Sequence, residues 1–331
     1  MLGGVTQHCA HMPDFQPVNP NDRLLYELMP ILIGIGPDED LHCYGSCFIA
    51  WPHMAVTAKH VVEELLRRGP GIAQGKPARL EYWIVQVTWT GDDHNYVVWT
   101  IDSVALSAHS DIAVLWLRGY DANAASYKQW KTVPTTFDPP PVGSQVIAFG
   151  LHNVRFDGSR VNEDRKFEHI EVKCDRSRST GTVNQHYWAG RDRGMYNFPC
   201  FGVDARFEHG MSGGLVINQE SQVCGIVCGS LPSSAPGEED VSYVTMLWPM
   251  MAIPVDKRLI PNGRDGVRYR LQHLSAQGIF APHGWERVLI EDKLDEGGPM
   301  TIRYAMATAN GSTPNTTVER DARQSGARPS P

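Results

Sequence analysis

Three features that mark large classes of proteins are missing from this sequence. No apolar run approaches the about 20 residues that a membrane-spanning helix needs. The N-terminus, MLGGVTQHCAHMPDF, has no basic start, no apolar core and no small-residue cleavage site, which argues against a secretory signal. The formal net charge is −7, so the basic excess of a general nucleic-acid-binding or membrane-binding protein is absent as well. We therefore expect neither a membrane nor a nucleic acid among the partners.

Cysteine is sparse and odd in number, with seven residues in a chain of 331. The dense, even cysteine spacing of small secreted proteins is not present. Cys224 and Cys228 lie four apart on a predicted strand, which places them on the same side but about 13 Å apart, too far for a disulfide. The sequence therefore favours a reducing compartment, and we expect a cytoplasmic protein. We also expect no cofactor.

Metal-ligand patterns are weak. Two short clusters contain the residue types that bind zinc: His8, Cys9 and His11, and His42, Cys43 and Cys47. Their spacings match no standard zinc pattern, and Cys47 falls in a predicted strand. We expect no metal site, with zinc bound by these two clusters as the alternative.

What the chain does contain is strand-like sequence. Apolar residues make up 42% of the composition, an ordinary value for a globular protein. Helical spacing is clear at 61–68, which ends at Gly69-Pro70. Short β-branched, aromatic or alternating segments predict strands at 28–35, 45–50, 82–90, 96–104, 112–117, 145–150, 168–173, 181–185, 214–217, 222–227 and 242–247. Many short strands and few helices are typical of an all-β sandwich or barrel.

The link near 119–142, with its run of three prolines, is the natural boundary between two β units. We divide the chain into five parts: an N-terminal extension (1–24), a first β unit (25–130), a second β unit (131–255), a C-terminal extension of unassigned role (256–307) and a tail (308–331). The tail is rich in Ser, Thr, Pro, Gly and charge, a composition typical of disorder.

Three segments carry the residue types of nucleophilic catalysis: VTAKHV at 56–61 with His60, SDIAVL at 110–115 with Asp111, and GMSGG at 210–214 with Ser212. Each alone has an ordinary structural explanation, as a half-buried histidine, a strand-end aspartate and a glycine-rich turn. Together they supply a nucleophile, a general base and a carboxylate that orients the base. A serine hydroxyl needs a neighbouring base, histidine can take and return its proton near neutral pH, and a carboxylate fixes the tautomer of the imidazole.

These segments, in this order, resemble the hallmarks of the chymotrypsin-like serine peptidases. Three further segments resemble the bacterial branch that is related to the Deg, or high-temperature-requirement, peptidases: GSCFI at 45–49, PVGSQVIAFG at 141–150 and GIV at 225–227. The resemblance implies an all-β fold of two six-stranded antiparallel Greek-key barrels with the active site in the cleft between them. It implies a serine endopeptidase that acts through an acyl-enzyme, with the triad His60, Asp111 and Ser212 and an oxyanion hole formed by the N–H groups of Gly210 and Ser212.

Several positions depart from the family pattern. Met211 stands where the secreted branch has an aspartate that pairs with a newly cleaved N-terminus, and Val61 stands where that branch has a cysteine next to the catalytic histidine. Activation by such cleavage is therefore not expected. The segment 256–307 is too short for the PDZ module of the Deg enzymes, so no PDZ domain is expected.

Substrate preference rests on four residues that the resemblance places around the primary pocket: Arg206, Cys228, Gly229 and Ser230. Arg206 in the pocket floor would favour an acidic side chain, because a buried guanidinium demands an anionic partner. The alternative is that it turns outward or pairs with Asp204, Glu208 or Asp240.

The partner expected from all of this is a protein or peptide substrate, and a regulatory protein is left open. The alternative function is a catalytically silent member of the fold that serves as a binding or scaffold module.

Overall fold

The structure is a computed structural model that describes residues 14–19, 21–35, 40–68, 82–90, 93–162, 166–231, 241–292, 300–305 and 315–319. His8, Cys9, His11 and Asp240, and most of the predicted tail, lie outside these ranges. The described helices are all too short or too polar to cross a membrane.

The first β unit is a seven-stranded antiparallel sheet in the order β3-β2-β6-β7-β8-β5-β4. Its strands are β2 (Ile31–Ile35), β3 (Leu41–His42), β4 (Phe48–Trp51), β5 (Met54–Thr57), β6 (Tyr82–Thr90), β7 (Asp93–Leu106) and β8 (Ala113–Gly119). Three helices belong to it: α1 (Arg23–Leu28), α2 (Lys59–Arg68) and α3 (Ala122–Ser126). The sheet curls until Ile31 and Ser46 form an isolated bridge, so its two edges approach one another without a continuous ladder.

The predicted strand at 28–35 begins too early. The apolar stretch at 28–35 begins as strand only at Ile31, since Leu28 ends helix α1. The Asp22 carboxylate accepts a hydrogen bond from the Leu25 N–H at 3.2 Å, and this cap starts a helix just ahead of the apolar run.

The second β unit is a closed six-stranded barrel. Its strands are β9 (Gln145–Arg155), β12 (Lys173–Tyr187), β13 (Cys200–Val203), β14 (Leu215–Ile217), β15 (Val223–Leu231) and β16 (Val241–Met246). The order is β12-β13-β16-β15-β14-β9, and β9 pairs back with β12 to close the barrel. A short hairpin of β10 (Arg160–Val161) and β11 (Phe167–His169) extends from it.

The N-terminal extension supplies a further strand to this barrel. β1 (Asp14–Pro17) pairs antiparallel with β12, with Asp14 opposite Thr180 and Pro17 opposite Ser177. The chain therefore passes along the second barrel before it builds the first sheet.

The C-terminal extension packs against the link between the two units. It contains α4 (Leu271–Ala276) and the strands β18 (Tyr269–Arg270), β19 (Val288–Asp292) and β20 (Met300–Ala305). Just before it, β17 (Pro254–Val255) pairs with β18, and the described part of the tail, where disorder was expected, forms the strand β21 (Asn315–Glu319) that pairs with β20. In the link, the Asp138 carboxylate accepts hydrogen bonds from Arg287 and Tyr304. The Tyr304 ring stacks on that of Trp248, with 5.9 Å between centroids. These contacts hold the extension to the barrels.

The fold confirms the predicted all-β, two-barrel architecture. It differs in one respect, because the first unit is a curled half-barrel of seven strands and only the second closes with six. One apolar core runs through both units, from Leu32 and Ile84 in the first to Leu215 and Val244 in the second. This shared core fixes the cleft in which the predicted site lies.

Candidate active site

His60 and Asp111 meet because they lie at the same end of two paired strands, where Thr57 at the end of β5 lies opposite Ala113 at the start of β8. β5 leads through the buried Ala58 into α2, whose first turn carries His60. Asp111 lies between β7 and β8. Its carboxylate accepts the His60 backbone N–H at Oδ1 (2.9 Å) and the ring Nδ1–H at Oδ2 (2.7 Å). One carboxylate thus satisfies an unpaired N–H of the helix start and orients the ring.

The charges of the pair stabilise one another. Burial alone lowers the pKa of His60, but the hydrogen bond and charge of Asp111, helped by Glu63 and Glu64, outweigh it and raise that pKa above the ordinary value. Burial alone raises the pKa of Asp111, yet the contacts with His60 outweigh it and lower that pKa. Asp111 therefore stays a carboxylate beside an imidazole that is more basic than usual.

Ser212 lies on a turn that requires glycine at its neighbours. Gly210 and Gly213 have φ values of +99° and +88°, in the left-handed region that favours glycine. A Cβ on Gly213 would lie 2.1 Å from the Ser46 carbonyl oxygen, and one on Gly214 would lie 2.0 Å from the Phe149 carbonyl oxygen. Gly213 therefore permits the close approach of the two β units, and Gly214 permits the close approach of β9 within the second.

Ser46 of the first unit holds this turn in place. Its N–H donates to the Ser212 carbonyl at 2.7 Å, and its hydroxyl donates to the Gly210 carbonyl at 2.9 Å. The same hydroxyl accepts the Leu151 N–H at 2.7 Å. Ser46 is fully buried. In the sequence it stands only within a strand motif, and this role was missed because its partners lie more than 100 residues away along the chain.

Cys228 contacts both halves of the candidate site. Its thiol donates to Asp111 Oδ2 at 3.1 Å, and its carbonyl accepts the Ser212 hydroxyl at 2.8 Å. Burial and the nearby Asp111 carboxylate raise the pKa of this thiol well above its ordinary value, so it remains a donor. Among the described residues, the hydroxyl of Ser212 bonds this carbonyl and makes no hydrogen bond to His60. The structure thus joins His60 to Asp111 directly and links Ser212 to them through Cys228.

The N–H groups predicted to form an oxyanion hole lie on the same turn. Met211 N–H bonds the Glu208 carbonyl and Gly213 N–H bonds the Val227 carbonyl. The N–H groups of Gly210 and Ser212 have no acceptor among the described residues. Two backbone donors are therefore available beside the Ser212 hydroxyl. Met211 itself is fully buried.

A cavity of about 300 Å³ opens beside His60 and Asp111. Its other wall is the segment before β13, where Met195, Tyr196 and Phe198 line it. Tyr196 stacks on Tyr243, with 4.4 Å between ring centroids. This wall is largely apolar and was not identified from the sequence, since 195–198 carries no motif.

The four predicted pocket residues separate into two places. Cys228 lines the cavity beside His60, and Gly229 and Ser230 continue along β15. Arg206 lies elsewhere, with its side chain 63% exposed and its guanidinium paired with Glu208. Its charge also lies over the Phe15 ring of β1, at 5.2 Å. Arg206 therefore adopts the alternative arrangement, in which it turns outward and pairs with Glu208, and it does not line the cavity beside His60.

Metal ligation has one geometric candidate within the described residues. His60, Asp111 and Cys228 offer donor atoms within 4.8 Å of one another, and these atoms already hydrogen-bond each other. The two described cysteines of the alternative zinc site donate hydrogen bonds to backbone carbonyls. Cys43 Sγ donates to the Gly45 carbonyl at 3.2 Å, and the buried Cys47 Sγ donates to the Pro30 carbonyl at 3.5 Å. These contacts favour structural roles for both cysteines.

A family model described as the trypsin-like peptidase domain matches residues 45–226. No curated protein matches the chain. The active form of the Rv3671c protease from M. tuberculosis is 15% identical, with a TM-score of 0.39 over 73% of this chain and 89% of that chain. The MamO protease domain from Magnetospirillum magneticum is 15% identical, with a TM-score of 0.38 over 67% of this chain and 92% of that chain. Because the family model spans more than half of the 331 residues, this chain belongs to the trypsin-like peptidase domain family.

Proposed function

We propose that the protein is a serine endopeptidase in which Ser212 is the nucleophile, His60 the general base and acid, and Asp111 the group that orients His60. The observation that carries the proposal is the buried Asp111 carboxylate, which accepts both the backbone N–H and the ring Nδ1–H of His60. Asp111 is only 7% exposed, and burying a carboxylate costs free energy unless it is paired. A buried carboxylate that is paired with one histidine in a cleft is typical of an active site.

The hydrogen-bond pattern assigns the tautomer of His60. A carboxylate can only accept, so the proton of the neutral ring lies on Nδ1 and the lone pair lies on Nε2. Nε2 is then the base that takes the Ser212 proton, and Asp111 stabilises the imidazolium that forms. The raised pKa of His60 has the same origin.

Attack requires the Ser212 hydroxyl to exchange one partner for another. In the structure it donates to the Cys228 carbonyl at 2.8 Å, and a rotation of the side chain would direct it towards His60 instead. Hydrogen bonds of this kind are often absent before substrate binds. The Ser212 oxygen then bonds the substrate carbonyl carbon, the peptide C–N bond breaks, and His60 returns the proton to the leaving amine. Water cleaves the acyl-enzyme by the same route.

The N–H groups of Gly210 and Ser212 are proposed to stabilise the negative charge that develops on the carbonyl oxygen. Neither has an acceptor among the described residues, and Ser46 fixes the turn that carries both. Donors held rigid in this way stabilise the transition state without reorganising during the reaction.

The substrate is proposed to be a protein or peptide whose apolar side chain fills the cavity beside His60. Met195, Tyr196 and Phe198 support this preference. An acidic preference set by Arg206 is not part of the proposal, because that guanidinium pairs with Glu208 on the surface. Gly229 and Ser230 remain proposed contacts for the substrate backbone along β15.

Finer assignments are also proposals. The segments 45–49 and 141–150 support a relation to the bacterial Deg branch, without its PDZ module. The six described cysteines, all with free thiols, support a reducing compartment such as the cytoplasm.

A second function has one observation in its favour. The Ser212 hydroxyl bonds the Cys228 carbonyl rather than His60, as would suit a catalytically silent binding module. A fluorophosphonate probe distinguishes the two functions, because it reacts only with an activated serine. Labelling of the wild type that is lost in Ser212→Ala supports the peptidase. A folded wild-type protein that resists the probe supports the binding module.

A further inference from the structure

A second cavity, of about 410 Å³, lies between the two β units, and none of its lining residues belongs to the candidate active site. The first unit contributes aromatic walls from α1, β6 and β7, with Tyr26, Trp89 and Tyr96. The second unit contributes charged residues from β9 and β12. An aromatic wall facing a charged wall is typical of a ligand site.

Arg176 carries the central observation. This cavity-lining residue is only 8% exposed, and its Nε and Nη2 have no hydrogen-bond partner among the described residues. Its Nη1 donates to Cys174 Sγ at 3.3 Å, and its charge lies 4.0 Å from the centroid of the Tyr26 ring. None of the described carboxylates pairs with it. A buried guanidinium without an anion is costly, so the site has an unmet requirement for negative charge.

The neighbouring charges do not meet this requirement. Lys173 is occupied by Asp157 and Glu171 on the surface. Asp175, the acidic residue of the lining, accepts a hydrogen bond from Asn153 at 2.8 Å. Arg155 is exposed, also lines the cavity, and makes no ion pair with a described residue. The lining therefore carries three cations, Arg155, Lys173 and Arg176, against the single carboxylate of Asp175, and neither arginine forms an ion pair with a described residue.

The aromatic wall indicates the chemistry of the uncharged part of the ligand. Tyr26 and Trp89 present ring surface to the cavity, and Tyr96 is 53% exposed at its rim. Flat apolar surface of this kind favours a ring or a branched apolar group on the ligand.

We propose that this cavity binds a carboxylate attached to an aromatic or branched apolar group, with the carboxylate against Arg176 and Arg155 and the apolar part against the aromatic wall. Two sources share this chemistry, a free aromatic acid and the C-terminal carboxylate of a peptide. The proposal does not depend on the peptidase activity.

The test compares 3-phenylpropionate with its neutral counterpart 3-phenylpropanol by calorimetry on the full-length protein. We expect the acid to bind at least about 10-fold more tightly, as expected for one hydrogen bond to a charged group. The dipeptide Gly-Phe and its C-terminal amide repeat the comparison for a peptide end. The tighter of the two acids then identifies the source. Equal binding of acid and neutral partner in both pairs would overturn the proposal.

Arg176→Met should abolish the preference for the acid, and Arg155→Met should reduce it by a smaller factor. Arg178→Met is the matched control, because Arg178 lies two residues further along β12, outside the cavity lining, and bonds Gln16. Its acid preference should equal that of the wild type. Arg176→Met should also melt no lower than the wild type, since it removes a buried charge that has no anionic partner among the described residues. Unchanged acid preference in both cavity variants would contradict the assignment. If Arg176→Met fails to fold, Arg155→Met and the paired ligands still decide the question.

Discussion

The two halves of the candidate site are held by different kinds of interaction. On the first unit, a buried carboxylate and a histidine hold each other by charge and two hydrogen bonds. On the second, the Ser212 turn is held by neutral hydrogen bonds from Ser46 and by the space that Gly213 and Gly214 leave open. Changes in pH and substitutions that remove charge should therefore affect the first half most. Substitutions that add side-chain volume or strain the backbone should affect the second half most.

The largest expected effect removes the charge from the first half. Asp111→Asn keeps the shape of the side chain but offers an N–H₂ group where the carboxylate accepted Nδ1–H, which favours the wrong tautomer of His60. We expect the peptide cleavage rate to fall by about 10⁴-fold, measured with saturating peptide substrate. A loss of less than about tenfold would show that Asp111 does not orient the base.

In the second half, added side-chain volume at Gly213 should have the largest effect on stability. Gly213→Ala places a Cβ against the Ser46 carbonyl and the Thr57 hydroxyl and strains a φ of +88°. We expect the free energy of unfolding to fall by about 3 kcal/mol or more, combining strain and overpacking. Urea unfolding measures it.

The matched control for that variant is Gly143→Ala. Gly143 has a φ of +87°, but no atom lies within 4 Å of the position that an added Cβ would take, so only the backbone strain of about 1 kcal/mol remains. Equal losses in the two variants would show that the close approach at Gly213 contributes nothing.

Ser46→Ala removes the hydroxyl that joins Gly210 to Leu151. We expect about 1–3 kcal/mol of lost stability, because two buried groups lose a partner, together with slower fluorophosphonate labelling as the Gly210 donor loosens. Ser144→Ala is the control, since its hydroxyl bonds the Pro141 carbonyl at an exposed turn. An unchanged labelling rate in Ser46→Ala would show that Ser46 does not position the N–H groups of the oxyanion hole.

The pH dependence reports on the first half alone. His60 must be neutral to act as base, so labelling should rise with pH, and the raised pKa of His60 moves the midpoint above that of an ordinary histidine. In Asp111→Asn, which lacks the negative charge, the midpoint should shift downward. A profile that is flat from about pH 5.5 to 8.5 would exclude His60 as the titrating base.

Much of this site could be predicted from sequence, because His60, Asp111 and Ser212 each lie within a short motif. Ser46 could not, since its function depends on contacts with Gly210 and Leu151 that only the folded chain creates. For Arg206 the sequence left two arrangements open, and the structure has the outward one because Glu208, two residues on, offers a surface partner. The strand β1 was hidden because its partner β12 lies over 150 residues away.

The smallest expected effect concerns redox conditions. The six described cysteines have free thiols, so strong reductant should leave the melting temperature unchanged. A native disulfide would contribute about 2–5 kcal/mol, and its loss would lower the melting temperature by many degrees. Such a drop would contradict the proposed reducing compartment.

The central claim is that the two halves together activate Ser212. The most direct measurement is the rate at which a fluorophosphonate labels the untrimmed full-length protein, with mass spectrometry to locate the adduct. We predict rapid labelling at Ser212 in the wild type, none in Ser212→Ala, which should melt like the wild type, and a labelling rate in Asp111→Asn that is lower by orders of magnitude. A folded wild type that is not labelled, or an adduct that persists in Ser212→Ala, would contradict the claim.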